Sequence, residues 1–151
     1  MKKLFALLLL VFLVVGNLLS QNYTQKYNSI LRRTEFYDSY GNMVGYAKNN
    51  SILNRLEYYD AYGNFLKYEK QNEILDRKES YDEYGNQQGY EKKNNILERA
   101  EKYDEYGNQK GYKKWNSILQ RYDVFDKNGN QVGYYKYNSI LQRWEYNSSS
   151  Y

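Results

Sequence analysis

Apolar and polar positions follow two regimes along the chain. Leu4 to Val15 form an uninterrupted apolar run behind Met1-Lys2-Lys3, which Gly16 and Asn17 then break. Beyond it the pattern becomes a short alternation that returns every 22 residues, marked by Asn28, Asn50, Asn72, Asn94, Asn116 and Asn138. Aligned on these asparagines the unit reads Asn-x-Ile-Leu-x-Arg-x-Glu-x-Tyr-Asp-x-Tyr-Gly-Asn-x-x-Gly-Tyr-x-Lys-x, without insertion or deletion. Leu53, Arg55, Glu57 and Tyr59 fall on alternate positions, as do Leu75, Arg77, Glu79 and Tyr81. A period of two predicts a strand with these side chains on one face. The other face (Asn54, Leu56, Tyr58 in one unit, Asp76, Lys78, Ser80 in the next) varies freely after its Ile.

Asp60-Ala61-Tyr62-Gly63-Asn64 and its counterparts interrupt the alternation. Asp accepts from backbone amides two residues on, and Gly supplies the positive φ of a tight hairpin loop. A second strand follows, ending in Gly-Tyr and a Lys two positions later; Lys67 takes that Gly slot in the second unit, so the glycine is not obligatory. A ring lying flat over bare backbone would explain the preference. Residues 28–49, 50–71, 72–93, 94–115 and 116–137 are full units, 138–151 is partial, and Asn22 to Tyr27 is a half-unit.

Connections of a few residues and no helical periodicity predict an all-β fold of antiparallel hairpins. About twelve strands at roughly 4.8 Å spacing give an elongated meander or solenoid-like strip near 58 Å long if the sheet stays open. Coiling or rolling of that strip, and the hairpin register, are left open. Arg and Glu ladders pair on one face, exposed pairs contributing about 0.2–1 kcal/mol each, and Leu and Tyr ladders supply the rest. Stability sums over neighbouring units and is lost from the ends inward.

Composition then narrows the chemistry. The 151 residues contain no Cys and no His, which removes disulfides, thiolate chemistry, the commonest general base and the two best transition-metal ligands. Glu57, Glu79, Glu101 and Glu145 recur two positions after an Arg. Active-site carboxylates are made different by their surroundings, so these read as ladder partners and no catalytic residue is assigned. Each turn offers one recurring carboxylate where calcium takes six to eight oxygens, so no metal or cofactor is expected. The formal charge is +4 with cations and anions interleaved, which argues against nucleic acid.

The basic start and apolar run of residues 1–20 have the form of a secretory signal peptide, with cleavage after Ser20. Retention as a membrane anchor is the alternative; after cleavage no membrane span is expected. Loss of Lys2 and Lys3 leaves a net charge of about +2. Three Asn-x-Ser/Thr matches, beginning at Asn22, Asn49 and Asn147, are close to chance in so Asn-rich a chain.

The 21 tyrosines are the strongest binding candidates. Tyr46, Tyr68, Tyr90, Tyr112 and Tyr134, with Trp115 and Trp144, have the character of a stacking platform for sugars or quaternary ammonium groups. The competing reading is that the rings pack on glycine and on one another.

The recurring Tyr-Asp-x-x-Gly-Asn element, Tyr37 to Asn42, Tyr59 to Asn64, Tyr81 to Asn86, Tyr103 to Asn108 and, with Phe, Phe125 to Asn130, resembles the tyrosine-aspartate repeats of RHS-type proteins. That resemblance implies hairpin strips and an extracellular setting. The chain departs from that family in being too short to enclose anything, so toxin delivery is not implied. It is less closely similar to choline- and glucan-binding repeats and to curli-type subunits. The expectation is therefore a non-catalytic, secreted, periplasmic or cell-surface module, structural or binding, whose partner is a surface protein or glycan. The alternatives are a glycan binder using the tyrosine platform, and a fibre subunit self-associating through its end strands.

Overall fold

The computed structural model describes residues 23–149. The expected signal peptide, residues 1–20, lies outside the described residues.

Each full unit contributes two antiparallel strands. The twelve strands are β1 (Tyr23–Asn28), β2 (Arg33–Tyr37), β3 (Met43–Asn50), β4 (Arg55–Asp60), β5 (Phe65–Asn72), β6 (Arg77–Asp82), β7 (Gln87–Asn94), β8 (Arg99–Asp104), β9 (Gln109–Asn116), β10 (Arg121–Asp126), β11 (Gln131–Asn138) and β12 (Arg143–Ser148). All pair with their sequence neighbours, and β12 also pairs with β1, so the sheet is a closed barrel. This corrects the open strip. Twisted strands accumulate curvature, and closure removes the exposed edges that a strip would leave.

The two partial units make the closure specific. Strand β1 is a second strand without its first, and β12 a first strand without its second. They pair as Thr24↔Glu145 and Gln25↔Trp144, the register of Glu35↔Tyr46 and Thr34↔Ala47 within a hairpin. The chain ends thus assemble a sixth hairpin lacking its turn. The seam pairs Tyr23–Gln25 with Trp144–Tyr146, three positions against five in the β2–β3 hairpin, and covers the edges of β1 and β12 over that stretch.

The two turn types separate to opposite mouths. At one, Asp60 accepts the backbone amides of Tyr62 and Asn64 at 2.9 and 2.8 Å, and Gly63 takes φ +88°, as the residue pattern predicts. A bulge follows, shifting the register between Tyr58 and Tyr59.

At the other mouth the structure departs from the periodicity. Strand β3 ends at Asn50 and β4 begins at Arg55, which face each other across the pair, so Ser51-Ile52-Leu53-Asn54 is a loop. The Asn50 side-chain oxygen accepts the Leu53 amide at 3.0 Å, and Asn54 takes φ +47°. The Ile-Leu pairs are therefore loop tips rather than strand ladders. Their spacing matched a strand, but the recurrent Asn caps a turn instead.

Alternation then sorts the barrel wall. The recurrent Arg-Glu-Tyr face, which becomes Arg121-Asp123-Phe125 in the fifth unit and Arg143-Glu145-Asn147 in the sixth, points outward and the variable face inward, where Phe36, Ala47, Tyr58, Val124 and Tyr135 are buried. The inner wall also carries charge: Glu69 lies 3.6 Å from Lys67 and 3.1 Å from Lys78, and Lys113 donates to both Glu91 oxygens at 3.0 and 3.1 Å. Burial, with Lys67 nearby, lowers the Lys102 pKa to about 8.

The strand glycines have a different reason from the expected ring. A Cβ on Gly45, Gly89 or Gly111 would come within 2.3–2.5 Å of a carbonyl oxygen on the adjoining strand. At Gly133 the Tyr146 ring lies over the position as well as the Asn147 carbonyl oxygen.

Candidate functional site

The outer face is one motif repeated around the barrel. Glu79 Oε1 accepts from Asn72 Nδ2 at 3.0 Å and from Arg77 Nε at 2.8 Å, while Oε2 accepts the Tyr81 hydroxyl at 2.6 Å. A second guanidinium nitrogen, Nη2 of Arg77, is 2.7 Å from Oε1. Glu35, Glu57 and Glu101 repeat the arrangement. Burial alone would raise these carboxyls, but hydrogen bonds from Tyr, Arg and Asn outweigh it and hold all four below the usual glutamate range. Oε1 of Glu79 is thus crowded by three nitrogens, while Oε2 takes one hydroxyl and keeps a second acceptor position.

The same register settles the tyrosine platform's geometry. Tyr46 shares the outer face with Glu35. The Arg33 guanidinium carbon is 4.2 Å from one face of its ring, and Tyr59 stacks on it at 5.0 Å. Tyr68 lies between Arg55 at 4.3 Å and Tyr81 at 4.8 Å, Tyr90 between Arg77 at 4.2 Å and Tyr103 at 4.8 Å, and Tyr112 between Arg99 at 4.1 Å and Phe125 at 4.7 Å. Tyr134 keeps its guanidinium, Arg121 at 4.0 Å, but faces Asn147 on the next strand. Four rings are thus already sandwiched. Trp115 and Trp144 sit on the opposite face of the sheet, clustered with Tyr122 at 4.8 and 6.0 Å. The structure does not bring the seven aromatics into one surface.

The rims, which periodicity misread as strand, are where apolar area meets water. Ile30, Ile52, Ile74, Ile96, Ile118 and Ile140 are each 90–95% exposed, with a half-exposed Leu after each. Set just behind them on the outer face, Lys26, Lys48, Lys70, Lys92, Lys114 and Lys136 are all exposed. The opposite rim carries exposed Tyr40, Tyr62, Tyr84 and Tyr106 beside the turn aspartates. Hydrogen bonds from the Asn64 side chain and backbone hold Asp60 below its ordinary pKa, partly opposed by desolvation, and Asp38, Asp82 and Asp126 are lowered in the same way. At Asp104 desolvation acts upward, yet bonds from Asn108 and Lys110 bring it to about 2. One mouth is therefore aliphatic and basic on balance, its six lysines and Arg32 outnumbering the exposed Glu73, Asp76 and Glu98 of the Ile74 and Ile96 loops; the other is aromatic and acidic.

Among solved structures, the fold is similar to an X-ray structure of a protein from Arabidopsis thaliana, with a TM-score of 0.63 and 8% identity over 85% of this chain and 80% of that one. The likeness is one of fold. No protein-family model and no curated protein matches the sequence.

Proposed function

We propose that this protein is a non-catalytic surface module that docks end-on against an anionic lipid interface through its isoleucine rim. The observation that carries the reading is the ring of six isoleucines, all at least 90% exposed, backed by a ring of lysines. Exposed apolar residues repeated on every loop of one rim mark an interaction surface, whereas singly scattered ones do not. Because every loop presents the same Ile-Leu pair, although its flanking residues differ, the partner must either share the barrel's rotational repetition or have no preferred orientation about its axis. A fluid bilayer surface is of the second kind. Shallow insertion of each Ile contributes about 1 kcal/mol, and each Lys near an anionic surface about 1 kcal/mol. The polar outer wall keeps the barrel upright at the interface rather than across it. The signal-like N-terminal run and the resemblance to tyrosine-aspartate repeats both support an extracellular or cell-surface setting.

A second reading rests on the opposite mouth. A second copy has the same repetition, and its acidic, tyrosine-bearing rim complements the basic, aliphatic one. Head-to-tail stacking of that kind builds a filament without any free strand edge.

Vesicle flotation separates the two. The protein should float with vesicles containing phosphatidylglycerol and much less with phosphatidylcholine alone. The triple variant Ile52→Ser, Ile74→Ser, Ile96→Ser should keep its stability and lose flotation at least tenfold. Equal flotation by that variant would overturn the proposal. Failure to float together with concentration-dependent growth in sedimentation velocity would favour the stack.

A further inference from the structure

The seam between β1 and β12 reproduces the outer-face motif with one part missing. In a complete hairpin a tyrosine ring fills the space between an arginine of the first strand and a tyrosine of the following unit, as Tyr46 does between Arg33 and Tyr59. At the seam the flanking groups are Arg143 and Tyr37, and the residue in register between them is Thr24, paired to Glu145 on one side and Tyr37 on the other. Thr24 has no ring to put there.

Three further observations mark the vacancy. A Cβ built on Gly63, Gly85, Gly107 or Gly129 meets a tyrosine hydroxyl at 3.7–4.0 Å, whereas one built on Gly41 meets nothing within 4 Å among the described residues. The side chains of Arg143 and Glu145 are 36% and 28% exposed, against 22% and 8% for Arg77 and Glu79. A cavity of about 540 Å³ lies at this place, lined by Thr24, Tyr37, Gly41, Arg143 and Glu145 among others. That volume lies within the range of small-molecule sites.

We infer that the seam is a binding site for a planar phenolic ring, which enters between the Arg143 guanidinium and the Tyr37 ring as the protein's own tyrosines do in the other units. Guanidinium-over-ring and ring-on-ring contacts supply the attraction, and the turn around Gly41 leaves room for the hydroxyl. The site arises from closure by two partial units, so it occurs once in the barrel. It does not depend on the rim's docking partner.

The test uses the protein titrated with p-cresol, following the Arg143 Nε–H and Tyr37 ring signals by NMR. In the free protein Arg143 should lack the ring-current shift shown by Arg33, Arg55, Arg77, Arg99 and Arg121, and should acquire it on titration. Half-saturation for so small a ligand should fall at about a millimolar. Thr24→Tyr installs the missing ring, so Arg143 should start shifted and cresol binding should fall at least tenfold. Should that variant fail to fold, 4-methylcyclohexanol, equally apolar but not planar, serves as the control and should bind several-fold more weakly than cresol. N-acetyl-tyrosinamide binding as well as cresol would assign the ring to a tyrosine side chain, and cresol alone to a free phenol. The inference is overturned if Arg143 is already ring-shifted in the free wild type, if cresol moves neither signal, or if Thr24→Tyr or the saturated analogue binds equally well.

Discussion

Glu79→Gln isolates the charge at the centre of the outer-face motif. The amide keeps the shape and most of the hydrogen bonds: its oxygen can accept from Arg77 and Asn72, and its nitrogen can donate to the Tyr81 hydroxyl. What is lost is the charge assistance of the bonds that wild-type Glu79 receives at 2.6–3.0 Å. Charge-assisted bonds are roughly twice as strong as neutral ones, but Arg77 remains stacked on Tyr90 at 4.2 Å and reaches water. The net loss should be about 1–2 kcal/mol, or a Tm decrease of about 3–6 °C for a chain of this size. Glu79→Ala, which also strands the Tyr81 hydroxyl and the Asn72 amide, should cost about 2–4 kcal/mol. Urea denaturation of the two variants and wild type, repeated along a descending pH series, reads these values. Because the Glu79 carboxyl is lowered in the folded state, its stabilisation is fully present above the unfolded-state pKa and is lost as pH falls through the folded one. The Glu79→Gln deficit must therefore shrink with acidification. A deficit that is absent at neutral pH, or that stays constant into acid, would refute the charged-node account.

The same linkage predicts that wild type is progressively destabilised below about pH 4.5, because Glu35, Glu57, Glu79 and Glu101 and the turn aspartates Asp38, Asp60, Asp82, Asp104 and Asp126 are all lowered; circular dichroism melts across pH check this. Gly111→Ala should cost about 2–4 kcal/mol, because its Cβ would sit 2.3 Å from the Phe125 carbonyl oxygen, and an unchanged denaturation midpoint would refute the close-approach argument. Glu69→Gln uncouples the inner-wall carboxylate from Lys67 and Lys78 and should cost about 3–5 kcal/mol, again read by urea denaturation.

Much of the local structure was legible. The 22-residue period gave the units, and Asp-x-Tyr-Gly-Asn gave the turn geometry because its residues act within five positions of one another. Period-two alternation also placed Arg, Glu and Tyr on one face. It could not tell which face looks inward, and the more regular face proves to be the outer one. Its residues satisfy one another, Arg on Tyr and Tyr on Glu, so they need no shared core. The Ile-Leu pairs were misread because their spacing suits a strand equally well, and only the capping bond from the preceding Asn decides for a loop. The seam's signal was present as well, in Thr24 where the other units carry Tyr. Its meaning required knowing that the chain ends meet.

Closure also turns the number of units into a geometric quantity. An open array can gain or lose a repeat and remain the same kind of object, one unit longer or shorter. In a barrel, strand number, tilt and stagger are tied together, so an added or deleted 22-residue unit changes the strand count from twelve by two and forces every remaining strand to a new tilt. The repeats are therefore held to a fixed circumference, within which inner-wall residues differ from unit to unit but whole units are not free to multiply.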